Sequence, residues 1–212
     1  MNFLPSLFFL LFSSFLIGQI SYDFAQALPP EAMNVQNIDK PYRSIYTNEN
    51  NQFEFTEAGI FTLTTVVHSI SRETLRESSQ YAVRNGYIFG VRENDSIPCV
   101  EENDRYYFGV RQRDTLIGNN SKNILRKIDA MNYILNFSEN GTYTPCLITF
   151  DGKTLKLRYF NYDDKSKPFE KFKLKTLNES DGIQYVTLNP TLKEWEKIGV
   201  KDYLGEEIVY SR

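Results

Sequence analysis

The sequence predicts a mainly β protein: an antiparallel meander forming a barrel-like or two-sheet sandwich domain, with one short C-terminal helix. Three observations predict it. The chain carries 16 Phe and 14 Tyr against 1 Trp and 3 Met, and Phe and Tyr suit pleated, half-buried surfaces. The stretch FEFTEAGIFTLTTVVHSI, from Phe53 to Ile70, alternates its side chains at the strand period and is rich in β-branched residues. Turn signals recur at short intervals, at Asn85-Gly86, Asn103-Asp104 and Asp151-Gly152.

Before the first of these strands, Phe3 to Ile20 carry no charge. The run reads as a secretory signal peptide, although no Lys or Arg precedes it. Ala25-Gln26-Ala27 fits the small-x-small cleavage rule and sets the leader at 1–27; Gly18-Gln19 offers an earlier cut. An uncleaved anchor competes with this reading, because an apolar run of this length approaches spanning size. The polar segment behind the run favours cleavage, after which no membrane span is expected. Asp23 is the only side-chain charge within 1–27, so its removal takes the formal net charge from −3 to −2. That balance does not point to nucleic acid. Residues 28–52 are rich in Pro and Asn without a period and read as an extended lead-in. Residues 53–212 read as a single β-rich domain.

Within that domain, Ser71 opens one or two helical turns. Tyr81–Arg84 and Tyr87–Arg92 read as strands about the Asn85-Gly86 hairpin turn. Glu93–Ser96 turns, Ile97–Glu101 is a strand interrupted by Pro98, and Tyr106–Arg111 is a strand that turns again at Gln112–Thr115. Ser121–Met131 fits either a helix face of Ile124, Leu125, Ile128 and Met131 or a strand pair turning at Asp129-Ala130. Strands resume at Tyr133–Phe137, Thr142–Phe150 and Thr154–Tyr162. Phe169–Leu177 and Ile183–Leu188 read as one more hairpin. Thr191 and Glu194 form a capping box, with Leu192, Trp195 and Ile198 on one helix face and Gly199 as its stop. Glu207–Tyr210 closes the chain as a short strand.

One segment is doubled. YIFGVREND at Tyr87–Asp95 returns as YYFGVRQRD at Tyr106–Asp114. As strands, both copies place Tyr, Phe and Val on one face, expected to be core, and the glycine and arginine on the other. Mid-strand glycines mark a bend, a bulge or close backbone approach. Gly90 and Gly109 would then form a shallow dip flanked by Arg92 and Arg111, with Tyr107 at its rim, a platform for an anion or carbohydrate. The competing reading is architectural: glycines that permit curvature, and arginines paired with Asp95 and Asp114.

Several chemistries lack their motif. There is no H-E-x-x-H, paired C-x-x-C, G-x-S-x-G, phosphate loop or dinucleotide fingerprint. His68 is the only histidine and sits in an alternating strand, so no catalytic residue, metal site or cofactor is assigned. Cys99 and Cys146 are an even pair that exported proteins can bridge, or two buried thiols. Lys171, Lys173 and Lys175 share a strand face that suits an anionic partner or guards an edge. The expected function is an exported, non-enzymatic binding or envelope-associated protein, periplasmic, cell-surface or secreted, meeting a glycan, a lipid or another envelope protein. A carboxylate-based glycan hydrolase and a structural partner in a surface assembly are the alternatives.

Overall fold

The computed structural model describes residues 19–49, 51–92, 95–160, 172, 174–180, 183–197 and 204–212. They group into two compact units, Met1–Gln36 with Asn120–Val209 (unit 1) and Asn37–Asn119 with Tyr210–Arg212 (unit 2). In chain order the strands begin with β1 (Gln19–Phe24), β2 (Asn34–Val35), β3 (Ile45–Asn48), β4 (Asn51–Phe55) and β5 (Ile60–Ser71). Helix α1 (Arg72–Glu77) precedes β6 (Ala82–Arg84), β7 (Tyr87–Phe89), β8 (Ser96–Glu102) and β9 (Arg105–Ile117). Then follow β10 (Ile124–Lys127), β11 (Asn132–Glu139), β12 (Thr142–Asp151), β13 (Thr154–Tyr159), β14 (Leu174–Ser180) and β15 (Ile183–Leu188). Helix α2 (Leu192–Lys197) and β16 (Ile208–Ser211) end the chain. The protein is mainly antiparallel β, as its aromatic content and alternation predict.

Unit 2 is built from two meanders, β3-β4-β5 and β9-β8-β7-β6. They meet along one long antiparallel ladder, from Ile60↔Ile117 to Ser71↔Arg105. Strand β5 runs long because Thr, Val and Ile dominate it. It stops where the Ser71 Oγ accepts from the Thr74 amide at 3.0 Å and caps α1. The turn expected at Gln112–Thr115 does not form. Each of those residues has a partner on β5, with Gln112 opposite Thr64 and Asp114 opposite Thr62, so β9 continues to Ile117. The first copy of the doubled segment does the opposite: β7 ends at Phe89, before the glycine. Tyr46, Phe55, Ile60 and Ile88 are fully or almost fully buried in this unit, and Tyr46 meets Phe55 edge-on at 5.6 Å.

Unit 1 holds the antiparallel run β2-β10-β11-β12, with β13 beside β12. Ser121–Met131 takes the strand-pair form: β10 lies on β11 from Ile124↔Asn136 to Lys127↔Tyr133. Strand β1 enters beside β12 at Phe24↔Tyr143 and pairs in parallel with β15 from Gln19↔Ile183 to Phe24↔Leu188. This pair departs from the otherwise antiparallel pattern. It also turns residues expected in the leader into a core strand. Phe24, Leu28 and Leu188 are fully buried together with Phe160 and Trp195. Phe24 meets Phe160 edge-on at 5.8 Å. The capping box of α2 forms as read, with the Thr191 amide donating to Glu194 Oε2 at 2.7 Å and the Glu194 amide to Thr191 Oγ1 at 3.3 Å. It holds Trp195 against the core. Ile198 and Gly199 lie outside the described residues.

Among the described residues neither unit's strand order closes on itself, so the barrel-like form is not adopted. The segment expected as a featureless lead-in, 28–52, carries β2, β3 and the start of β4.

Candidate functional site

The β5–β9 ladder of unit 2 sets two faces, because register partners lie side by side and alternate along the strands. His68 and Phe108 are partners, and their rings stack at 5.8 Å with 22° between planes. They wall a hollow of about 440 Å³ that Ile70, Tyr81, Ile88 and Arg92 also line. Gly90 brings Arg92 there. Its φ of +86° ends β7, and a Cβ at this position would stand 1.9 Å from the Gln80 carbonyl oxygen. Only glycine fits that turn. The Arg92 guanidinium then donates to the Arg111 backbone carbonyl. No carboxylate among the described residues reaches it as an ion pair, and its side chain lines the hollow.

Arg111 opens on the other face. It donates to Gln52 Oε1 and lines a hollow of about 540 Å³ with Glu49, Leu63, Thr65 and Val67. Tyr107, Gly109 and Arg111 alternate along β9 and share this face with Arg105 and Arg113. Arg105 donates to Ser69 Oγ at 3.1 and 2.8 Å. Arg113 pairs with Glu54 at 2.6 Å and lies 3.3 Å over the Phe61 ring. Gly109 is explained by packing: a Cβ there would stand 2.7 Å from the Thr65 methyl.

The doubled segment therefore does not make a doubled structure. The dip flanked by both arginines does not form, because Arg92 and Arg111 face opposite sides of the ladder. The expected aromatic core face holds only for the second copy. Phe108 is buried, but Phe89 is 39% exposed and its neighbour Ile88 is buried instead. A one-residue change of phase turns each side chain to the other face. Among the described residues neither arginine forms an ion pair with an aspartate, and Asp114 accepts from Gln112 Nε2 at 3.1 Å.

Unit 1 has a hollow of its own, about 510 Å³, on the face of β1, β12 and β15 turned away from the core. Asp23, Glu139, Thr144, Tyr185 and Thr187 line it. The Asp23 Oδ1 is buried and accepts no hydrogen bond. Sequence reasoning missed Asp23 because it assigned that residue to the leader. The alternation of Ser21 and Asp23 against Tyr22 and Phe24 was the available signal.

The two cysteines are free thiols, so of the two readings of the pair the bridge is not formed. Burial pushes the Cys146 thiol up to about 12 and raises that of Cys99. Neither is primed as a nucleophile. Lys171 and Lys173 lie outside the described residues, and Lys175 sits in β14. Among the described residues no group of three or more His, Cys, Asp or Glu is placed to hold a metal ion, and no helix is long and apolar enough to cross a membrane. No protein-family model, curated protein or solved structure matches this chain.

Proposed function

We propose that this is an exported, non-enzymatic binding or envelope-associated β protein, and that the hollow behind Arg92 is its binding site. One observation carries the reading: the Arg92 guanidinium, which no carboxylate among the described residues reaches as an ion pair, stands at the mouth of a hollow walled by the His68–Phe108 stack, Ile70 and Ile88. Such a wall offers apolar and aromatic contact, and the guanidinium offers planar, charge-assisted donors. The matching ligand has an anionic head and an apolar or flat body. Among the described residues the hollow's one imidazole is stacked on a phenyl ring and no carboxylate lines the wall, which favours binding over acid–base work.

The test is a thermal-shift screen of the folded chain against fatty acids, glycans, anionic polymers and divalent metals. A ligand at 100 times its dissociation constant adds roughly 2.7 kcal/mol, which moves a domain of this size by several degrees. The shift should come from amphiphilic anions, vanish in Arg92→Ala and survive in Arg111→Ala. A shift that survives Arg92→Ala, or no shift from any class, overturns the site.

A carboxylate-based glycan hydrolase is the second reading, favoured by the joint presence of Asp23 and Glu139 in the unit 1 hollow. Retaining and inverting glycosidases both place two carboxyl groups across the bond they cut. Release of reducing sugar from a glycan panel, lost in both Asp23→Asn and Glu139→Gln, would move the assignment to this site.

A further inference from the structure

We infer that Gln19–Ala27 is a permanent part of the folded protein, and that the leader, on the export reading above, is removed no later than Gln19. The small-x-small rule placed the cut between Ala27 and Leu28, and the tertiary structure argues against it at four points.

Strand β1 is paired along its whole length with β15, and the ladder continues past it, with the Ala25 amide donating to the Leu188 carbonyl at 2.8 Å. Loss of β1 would leave the β15 backbone groups without partners on that side. Phe24 is fully buried among Phe160, Leu188 and Trp195, so its loss would open a core cavity the size of a phenyl ring.

The other two points concern the cut itself. Leu28 is fully buried, and its amide donates to Asn136 Oδ1 at 2.7 Å. Cleavage before Leu28 would turn this amide into an ammonium and bury its charge. Arg126 donates to the Ala27 carbonyl at 2.7 Å and to that of Pro29; the first acceptor would go with the leader. Ala27 is small for a reason unrelated to processing: it is 3% exposed, packed inside unit 1.

The earlier cut, between Gly18 and Gln19, spares all of these contacts, since β1 begins at Gln19. It would leave Gln19 as first residue. A terminal glutamine closes on itself: the α-amino nitrogen attacks the side-chain amide carbon, a lactam forms and ammonia leaves.

Two measurements test this. The full chain is produced in an exporting bacterial host, and the first residue of the exported protein is read by mass spectrometry. A start at or just before Gln19, with Gln19 open or closed to the lactam, supports the inference; a start anywhere from Ile20 to Leu28 overturns it. A chain recovered uncut from Met1 overturns the export reading and the leader with it. The permanence of β1 is then decided separately, by melting chains that begin at Gln19 and at Leu28. The first should unfold cooperatively and the second should lose its cooperative transition. Equal melting would show β1 to be dispensable and overturn the inference.

Discussion

Asn136 clasps the backbone of Leu28 from both sides: its Oδ1 accepts from the Leu28 amide at 2.7 Å, and its Nδ2 donates to the Leu28 carbonyl at 2.9 Å. The same Nδ2 reaches the Ile124 carbonyl at 3.2 Å. One side chain thus ties the segment after β1 to β10 and β11, in a place where water cannot substitute, since Asn136 is fully buried. Asn136→Ala should cost about 2–3 kcal/mol, the penalty of leaving buried backbone groups unpaired, read from urea unfolding. A loss under about half a kcal/mol would mean the clasp is incidental. Asn136-Phe137-Ser138 reads as a glycosylation sequon; because the Asn136 side chain is fully buried in the fold, it should be unmodified in folded protein from a glycosylating host.

The two glycines of the doubled segment should respond differently. Gly90→Ala meets backbone, the Gln80 carbonyl, at a positive φ, and should cost at least about 2 kcal/mol with no second-site remedy. Gly109→Ala meets only the Thr65 methyl and should cost roughly 1–2 kcal/mol. Thr65→Ser removes that methyl. The double variant should be more stable than the sum of the single effects predicts, by half a kcal/mol or more. Strict additivity would place the strain elsewhere.

The thiols should be free and unequal. Cys146 is buried and its thiol is pushed up to about 12, with burial as the first cause. Cys99 is half-buried, and burial raises its thiol. Iodoacetamide at mild alkaline pH should label Cys99 and spare Cys146 in the native protein, and label both in denaturant without reductant. Protection of both thiols in denaturant without reductant would reveal a disulfide.

Asp129 sets an acid limit on one turn. Its carboxylate accepts from the Asn132 side chain at 3.0 and 2.8 Å and from the Met131 and Asn132 amides at 2.8 and 2.9 Å. These bonds, the Asn132 side chain first, hold its carboxyl below the usual range. A depressed carboxyl contributes stability that is present above its ordinary pKa and is lost as pH falls through the depressed, folded-state value. The stability gap between wild type and Asp129→Ala should therefore be constant near neutrality and close in strong acid. A gap that widens on acidification would contradict the sign.

Elements governed by local chemistry were legible in the chain. The Ser71 and Thr191 caps, the Asn85-Gly86 and Asp151-Gly152 turns and the period of β5 each depend on neighbours a few residues away, and each forms as read. The doubled segment shows where that reasoning stops. Gly90 and Gly109 sit in matching nonapeptides, yet one ends a strand and the other continues it. What differs is the partner: β9 has β5 opposite it through Ile117, while β7 has only the short β6 and the β8 hairpin. A strand's length is set by the backbone groups offered across the ladder, and these are distant in sequence.

The same reason explains β1. Residues Ser21 to Phe24 alternate as a strand should, but an apolar, uncharged run before a small-x-small triplet carries the local pattern of a leader. Composition and periodicity determined the β class, the turns and the caps. The tertiary structure alone decided that Phe24 is core, that Arg92 and Arg111 face apart, and that Asp23 and Glu139 share a hollow. Alternation says which residues share a face of one strand. Which face is buried depends on pairing with strands far along the chain, and a one-residue shift in that pairing reverses every side chain.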